Sequence, residues 1–95
     1  MSEAYLQAKI IRHLKSKGCY VIKTTPGPGV PVGCPDIIFM KDGFWGGIEA
    51  KASKTSRFQP LQKDTIALLN DMSWCRPVFP ENWADIKLEL DRLLR

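Results

Sequence analysis

The dipeptide Asp42-Gly43 constrains this chain more than any other feature. It separates two runs rich in strand formers, Asp36-Ile37-Ile38-Phe39-Met40-Lys41 and Phe44–Ala52. Asp-Gly suits the positive φ angles of a type I′ turn, the tightest hairpin connection. A two-residue turn there fixes the register: Lys41 faces Phe44, and stepping outward along both strands brings Asp36 opposite Glu49. Directly opposite residues have Cβ atoms about 4.5–5.5 Å apart and share a sheet face. Side chains alternate along a strand, so Lys51 shares the face of Glu49. Two carboxylates and an ammonium are thus expected to converge at the open end of the hairpin.

The remaining elements are read from periodicity and breakers. Ser2 can cap a helix running to about Ser16, with Leu6, Ile10 and Leu14 at helical spacing and Gly18 ending it. Glu3 and Gln7 belong to the same stripe, which sets an acid on the inward side of the first turn; an acid there also complements the helix dipole. Cys19–Thr25 reads as a strand, and the Pro/Gly-rich stretch Pro26–Gly33 as a loop, either a plain connection or a segment closing over a ligand. A helix is expected over about Arg57–Met72, then a short strand over Trp74–Phe79 whose Pro77 argues for a sheet edge. A last helix from about Asn82 carries Trp83, Ile86, Leu90 and Leu93/Leu94 as its apolar stripe. The order α-β-β-β-α-β-α predicts an α/β fold, a small mixed sheet flanked by helices, in a single domain spanning residues 1–95.

Composition narrows the function classes. No stretch reaches the roughly 18 apolar residues of a membrane helix. Met1-Ser2-Glu3-Ala4 begins acidic and without an apolar run, so a signal peptide is not expected and a cytoplasmic location is. Ten basic and four acidic side chains fall in residues 1–63, against four and six in residues 64–95. That asymmetry fits a polyanion approaching one side, and also an ordinary solvated surface. Cys19, Cys34 and Cys75 are far apart, odd in number and remote from the single His13, so neither a zinc site nor a disulfide framework is expected.

Facing like charges destabilise a sheet unless something compensates. Lys51 supplies one positive charge, and a divalent cation would supply more. Oxygen ligands alone suit Mg²⁺ or Mn²⁺ rather than zinc, and the backbone carbonyl of Ala50, between the two side chains, adds a further candidate ligand. The plainer alternative is a surface salt bridge between Glu49 and Lys51, with Asp36 merely following Pro35 in a turn.

Gly33-Cys34-Pro35-Asp36 followed by Glu49-Ala50-Lys51, with Glu3 on a first helix, resembles the PD-(D/E)xK nuclease superfamily and its restriction-endonuclease-like core. Within it the chain is most similar to the VRR-NUC (virus-type replication-repair nuclease) domain. That pattern includes a glutamine on the following helix, matched by Pro60-Leu61-Gln62; Gln59 is the lesser candidate. With no added domain, the chain resembles stand-alone members of the kind carried by phages. The resemblance implies metal-dependent hydrolysis of DNA phosphodiesters by a homodimer. In it Asp36 and Glu49 hold the metal, and Glu3 adds a ligand directly or through water. Lys51 orients the attacking water or stabilises charge on the phosphorane, and Gln62 supports the site or touches the scissile phosphate. Lys54, Arg57 and Lys63 would take neighbouring phosphates, or equally form a solvated helix face.

No reading module is appended to the core, which points to recognition of shape rather than sequence. Two sites related by a two-fold axis suit a branched substrate of matching symmetry, such as a four-way (Holliday) junction. Competing readings are a non-catalytic DNA-binding protein with its acids tied in salt bridges, and a module whose basic face meets an acidic protein. Trp45, Trp74, Trp83, Phe44, Phe58 and Phe79 are open to three roles: core, dimer contact or base stacking.

Overall fold

The computed structural model describes residues 1–95. Seven elements follow in the expected order: α1 (Glu3–Ser16), β1 (Tyr20–Lys23), β2 (Ile37–Lys41), β3 (Phe44–Ala50), α2 (Gln62–Met72), β4 (Trp74–Val78) and α3 (Trp83–Leu93). They build one four-stranded sheet in the order β1-β2-β3-β4. The first three strands form an antiparallel meander, and α2 carries the chain across to β4, which runs parallel to β3. A parallel pair needs such a crossover, whereas the antiparallel β2–β3 pair is closed by two residues.

The turn obeys its chemistry. Asp42 and Gly43 both take positive φ, 50° and 83°, as a type I′ turn demands. The ladder runs from Lys41↔Phe44 to Ile37↔Ile48, so the next residues along, Asp36 and Glu49, come to lie across from each other.

Strand alternation sorts the sheet into two faces. Ile37, Phe39, Ile48, Ala50, Trp74 and Val78 are buried on one face against Leu6, Ile10 and Leu14 of α1 and Trp83, Ile86 and Leu90 of α3. Ser2 caps α1 as expected, its Oγ accepting from the Tyr5 N–H at 3.1 Å. The core stripe begins at Leu6, however, and Glu3 is exposed. Its expected inward position is corrected: the buried stripe of α1 starts one turn further along, at Leu6 and Gln7.

On the other face lie Tyr20, Ile22, Ile38, Met40, Trp45, Gly47, Glu49 and Cys75, by the pairings Tyr20↔Met40, Ile22↔Ile38, Met40↔Trp45, Ile38↔Gly47 and Gly47↔Cys75. Helix α2 covers only the β3–β4 side of it, and no residue of α2 is fully buried. The helix begins five residues later than its periodicity suggests. Pro60 disfavours helical backbone at Gln59, and Leu61 takes the left-handed region at φ 70°. Residues 51–61 therefore form a loop that folds back over the open end of the hairpin. β4 lies at the sheet edge, in keeping with Pro77.

Candidate active site

The open end of the β2–β3 hairpin gathers four of the residues singled out by the sequence. Asp36 precedes β2 and its Oδ2 accepts from the Ala50 N–H at 3.1 Å. Thr24 steadies the same corner: its N–H donates to the Asp36 carbonyl at 2.8 Å and its Oγ1 to the Pro35 carbonyl at 2.7 Å. Glu49 sits across the ladder and is 2% exposed; Lys51 is 6% exposed. Burying charges this deeply is costly unless they are paired and hydrogen-bonded.

Pairing is partly supplied by α2. Gln62, its first residue, donates from Nε2 to Glu49 Oε2 at 2.9 Å and accepts at Oε1 from Lys51 Nζ at 2.9 Å. Lys51 Nζ also lies 3.5 Å from Glu49 Oε2, donates to the Arg57 carbonyl at 3.3 Å and sits 5.0 Å from the centre of the Phe58 ring. The Gln59 N–H adds a bond to Gln62 Oε1. The ammonium is thus held in one place by a carboxylate, an amide, a carbonyl and an aromatic face.

One atom is left out. Glu49 Oε1 is buried and has no hydrogen-bond partner. Burial first, and the neighbouring Asp36 charge second, push the Glu49 carboxyl up to about 7, against the pull of Lys51. An orphaned carboxylate oxygen beside a second carboxylate is the environment a cation would relieve. The donor set of Asp36, Glu49 and the Ala50 carbonyl is all oxygen, which suits a hard divalent ion. No cluster of three acidic, His or Cys side chains forms here or elsewhere. Glu3, exposed at the start of α1, does not complete a third carboxylate ligand in this arrangement.

Asp36 opens onto a cleft of about 390 Å³ lined also by Thr24, Val30, Cys34, Gln59 and Gln62, among others. The Pro/Gly-rich stretch 26–33 forms its far wall, so this loop borders the site. Arg57 and Lys63 line a second depression alongside, together with Phe58 and Gln59, and Lys54 is exposed close in the chain. None of these three cations is paired to a carboxylate. Thr24, Phe58 and the Arg57 carbonyl were not assigned to the site beforehand, because it takes the folded loops to bring that hydroxyl, that ring face and that backbone oxygen to it. Among the aromatics left open, Trp74 and Trp83 are buried in the core, whereas Phe44, Trp45, Phe58 and Phe79 are only half-buried.

No protein-family model matches the chain, and no curated protein matches it. Among solved structures it is similar to Hjc, a Holliday junction resolvase from the archaeal hyperthermophile Archaeoglobus fulgidus. The TM-score is 0.56 at 13% identity, over 81% of this chain and 69% of that one. The likeness extends to the architecture, a small α/β fold with a mixed four-stranded sheet.

Proposed function

We propose that this protein is a metal-dependent, structure-selective DNA endonuclease of the VRR-NUC type, which hydrolyses phosphodiester bonds in branched DNA such as four-way junctions and acts as a homodimer. The observation that carries the reading is Glu49: a carboxylate buried beside Asp36, with one oxygen unpartnered. A binding module has no use for such an arrangement, which costs stability and offers nothing to a phosphate. The similarity in fold to a resolvase supports the same reading.

Asp36, Glu49 and the Ala50 carbonyl would hold Mg²⁺ or Mn²⁺. When bound, such an ion lowers the pKa of a water molecule and polarises a phosphoryl oxygen. The chain's own groups do the rest. Lys51 would present a fixed positive charge beside Glu49, able to offset the negative charge that builds on the phosphoryl oxygens during attack. Gln62 and the Arg57 carbonyl keep that amine from swinging, so little reorganisation is needed as charge develops. Arg57, Lys63 and Lys54, exposed and unpaired, are free to take phosphates on either side of the scissile one.

The homodimer rests on the sheet face that α2 leaves open. Tyr20, Ile22 and Met40 are 68%, 42% and 37% exposed there, and Leu68 and Met72 of α2 are 55% and 65% exposed. Exposed apolar side chains on one sheet face are what a partner copy would cover. A two-fold axis through it would present two carboxylate pairs to a substrate of matching symmetry.

The test is a nicking assay on four-way junction, flap and linear duplex with Mg²⁺, Mn²⁺ or chelator. Chelator-sensitive cutting, strongest on the junction and abolished by Asp36→Asn and Lys51→Ala, is expected. Activity that survives both substitutions removes the site assignment, and equal rates on junction and linear duplex remove the structure selectivity.

A further inference from the structure

A second charged concavity lies on the opposite side of the sheet from the carboxylate pair. Glu49 and Lys51 alternate with Ile48 and Ala50, which face α1 and α3. The outer surface of those two helices therefore lies a full sheet thickness away from the carboxylates. On α1, Tyr5, Lys9, Arg12 and Ser16 follow one another at helical spacing along a single stripe, about 16 Å long. Lys87 reaches toward it from α3. Lys9, Arg12, His13, Ser16, Trp83 and Lys87 line a groove of about 280 Å³ between the helices.

The charge in this groove is uncompensated. The four ion pairs of the molecule are His13–Asp91, Lys17–Asp91, Lys51–Glu49 and Arg76–Glu89. Lys9, Arg12 and Lys87 have no carboxylate partner, and no acidic residue lines the groove. Asp91, which contacts His13, is already engaged at 2.8 Å by His13 and at 3.5 Å by Lys17. Three like charges around one concavity repel one another and focus a positive potential, which lowers the free energy of a bound polyanion. Trp83 is 8% exposed and gives the groove a rigid wall. Tyr5, 58% exposed, lies under Lys9 Nζ at 5.7 Å and offers a ring face beside the cations.

We propose that the α1–α3 groove is a second nucleic-acid contact. It binds backbone phosphates through Lys9, Arg12 and Lys87, and the DNA segment it takes is separate from the one at the carboxylate pair. The identity of the polyanion rests on the nuclease reading above. The separation of the two sites does not: the carboxylate pair and the α1–α3 layer lie on opposite faces of the sheet, so the groove meets its own stretch of phosphates. The contact is with backbone and blind to sequence, and its effect is to hold a second arm of the substrate.

The experiment is fluorescence anisotropy of a labelled four-way junction and a linear duplex, in chelator, across about 50–200 mM salt. Wild type is compared with Lys9→Glu/Arg12→Glu/Lys87→Glu and with Lys9→Gln/Arg12→Gln/Lys87→Gln. A control, Lys15→Glu/Arg92→Glu/Arg95→Glu, makes the same charge change elsewhere. Circular dichroism checks that each variant is folded. The groove variants should bind at least tenfold more weakly than the control, with the slope of log affinity against log salt reduced by about 2–3, one unit per lost phosphate contact. Single-turnover cleavage at saturating protein should be unchanged, because none of the three residues touches Asp36, Glu49 or Lys51. Affinity and slope equal to those of the control overturn the proposal. So does binding of wild type to phosphatidylserine vesicles with no groove-dependent binding of DNA. Groove-dependent binding without cleavage would instead sink only the nuclease reading, and cleavage with groove-independent binding only this one.

Discussion

Gln62 donates to Glu49 Oε2 at 2.9 Å while accepting from Lys51 at the same distance. One neutral side chain thereby sets the spacing between a buried anion and a buried cation, and it does so from the first residue of α2. Gln62→Ala removes both bonds. Lys51 then keeps only the Arg57 carbonyl, the Phe58 face and the longer contact with Glu49. Single-turnover nicking should fall about 10–100-fold, the usual cost of losing a group that orients a metal ligand. Folding should survive, since Gln62 is outside the core. Gln62→Glu should be worse than Ala, because a third carboxylate at that spot repels Glu49. A rate for Ala within a factor of two of wild type would show that the amide orients nothing.

The Glu49 carboxyl is held up to about 7 in the fold, chiefly by burial and then by Asp36. A glutamate carboxyl in an open chain titrates near 4.5. Between those values the folded state holds a proton that the unfolded chain has released. Stability in chelator should therefore be highest below pH 4.5 as far as this group is concerned. It should fall as pH rises toward 7 and level off above. The span is on the order of 3 kcal/mol. Thermal unfolding from pH 5 to pH 8 should show this decline, Glu49→Gln should flatten it, and added Mg²⁺ should raise the melting temperature most at the alkaline end. A melting temperature in chelator that climbs steadily over this range would contradict the buried-acid account.

Why the carboxylate pair was legible in the sequence is a matter of turn chemistry. Asp42-Gly43 accepts two positive φ angles at little cost, and a two-residue turn leaves one register. The alignment of Asp36, Glu49 and Lys51 then follows from alternation alone. The start of α2 was less legible, because Leu61, Thr65, Leu68 and Met72 keep helical spacing from a point that Pro60 and the left-handed Leu61 break. Glu3 shares a stripe with Gln7 and Ile10, yet a stripe says which side a residue is on and not whether anything lies opposite. The basic groove was hidden for a related reason. Lys9 and Arg12 read as the polar side of one helix, and only the packing of α3 against α1 brings Lys87 across from them.

Gly33 tests how tightly the Pro/Gly-rich loop is coupled to the carboxylate end of the hairpin. It sits at φ 86°, and a Cβ there would lie 2.8 Å from Thr65 Oγ1 and 2.9 Å from the Leu61 carbonyl oxygen. Those two atoms belong to the first turn of α2 and to the residue before it, flanking Gln62. Gly33→Ala should cost about 1–3 kcal/mol, from left-handed backbone and the clash together. It should also lower nicking by more than the loss of folded protein explains, because α2 must shift and carry Gln62 with it. Denaturant unfolding measures the first quantity and single-turnover rates on fully folded protein the second. A destabilised but fully active variant would mean that the loop moves and α2 does not.

The uncovered sheet face makes a claim about mass. Ile22 and Met40 stand on that face, 42% and 37% exposed, with Tyr20 beside them at 68%. Covering a side chain of this size contributes about 1.5–3 kcal/mol. Ile22→Glu/Met40→Glu should weaken a dimer at least 100-fold, both by losing that burial and by bringing four carboxylates together across a two-fold axis. Light scattering over a concentration series should show wild type at twice the chain mass and the variant at one. Neither residue bonds to Asp36, Glu49 or Lys51, so the monomeric variant should still nick one strand of a junction while losing the paired, symmetric cut that resolves it. Wild type at the mass of a single chain would leave the apolar face without a partner copy, and paired cuts by the monomer would mean that each chain acts alone.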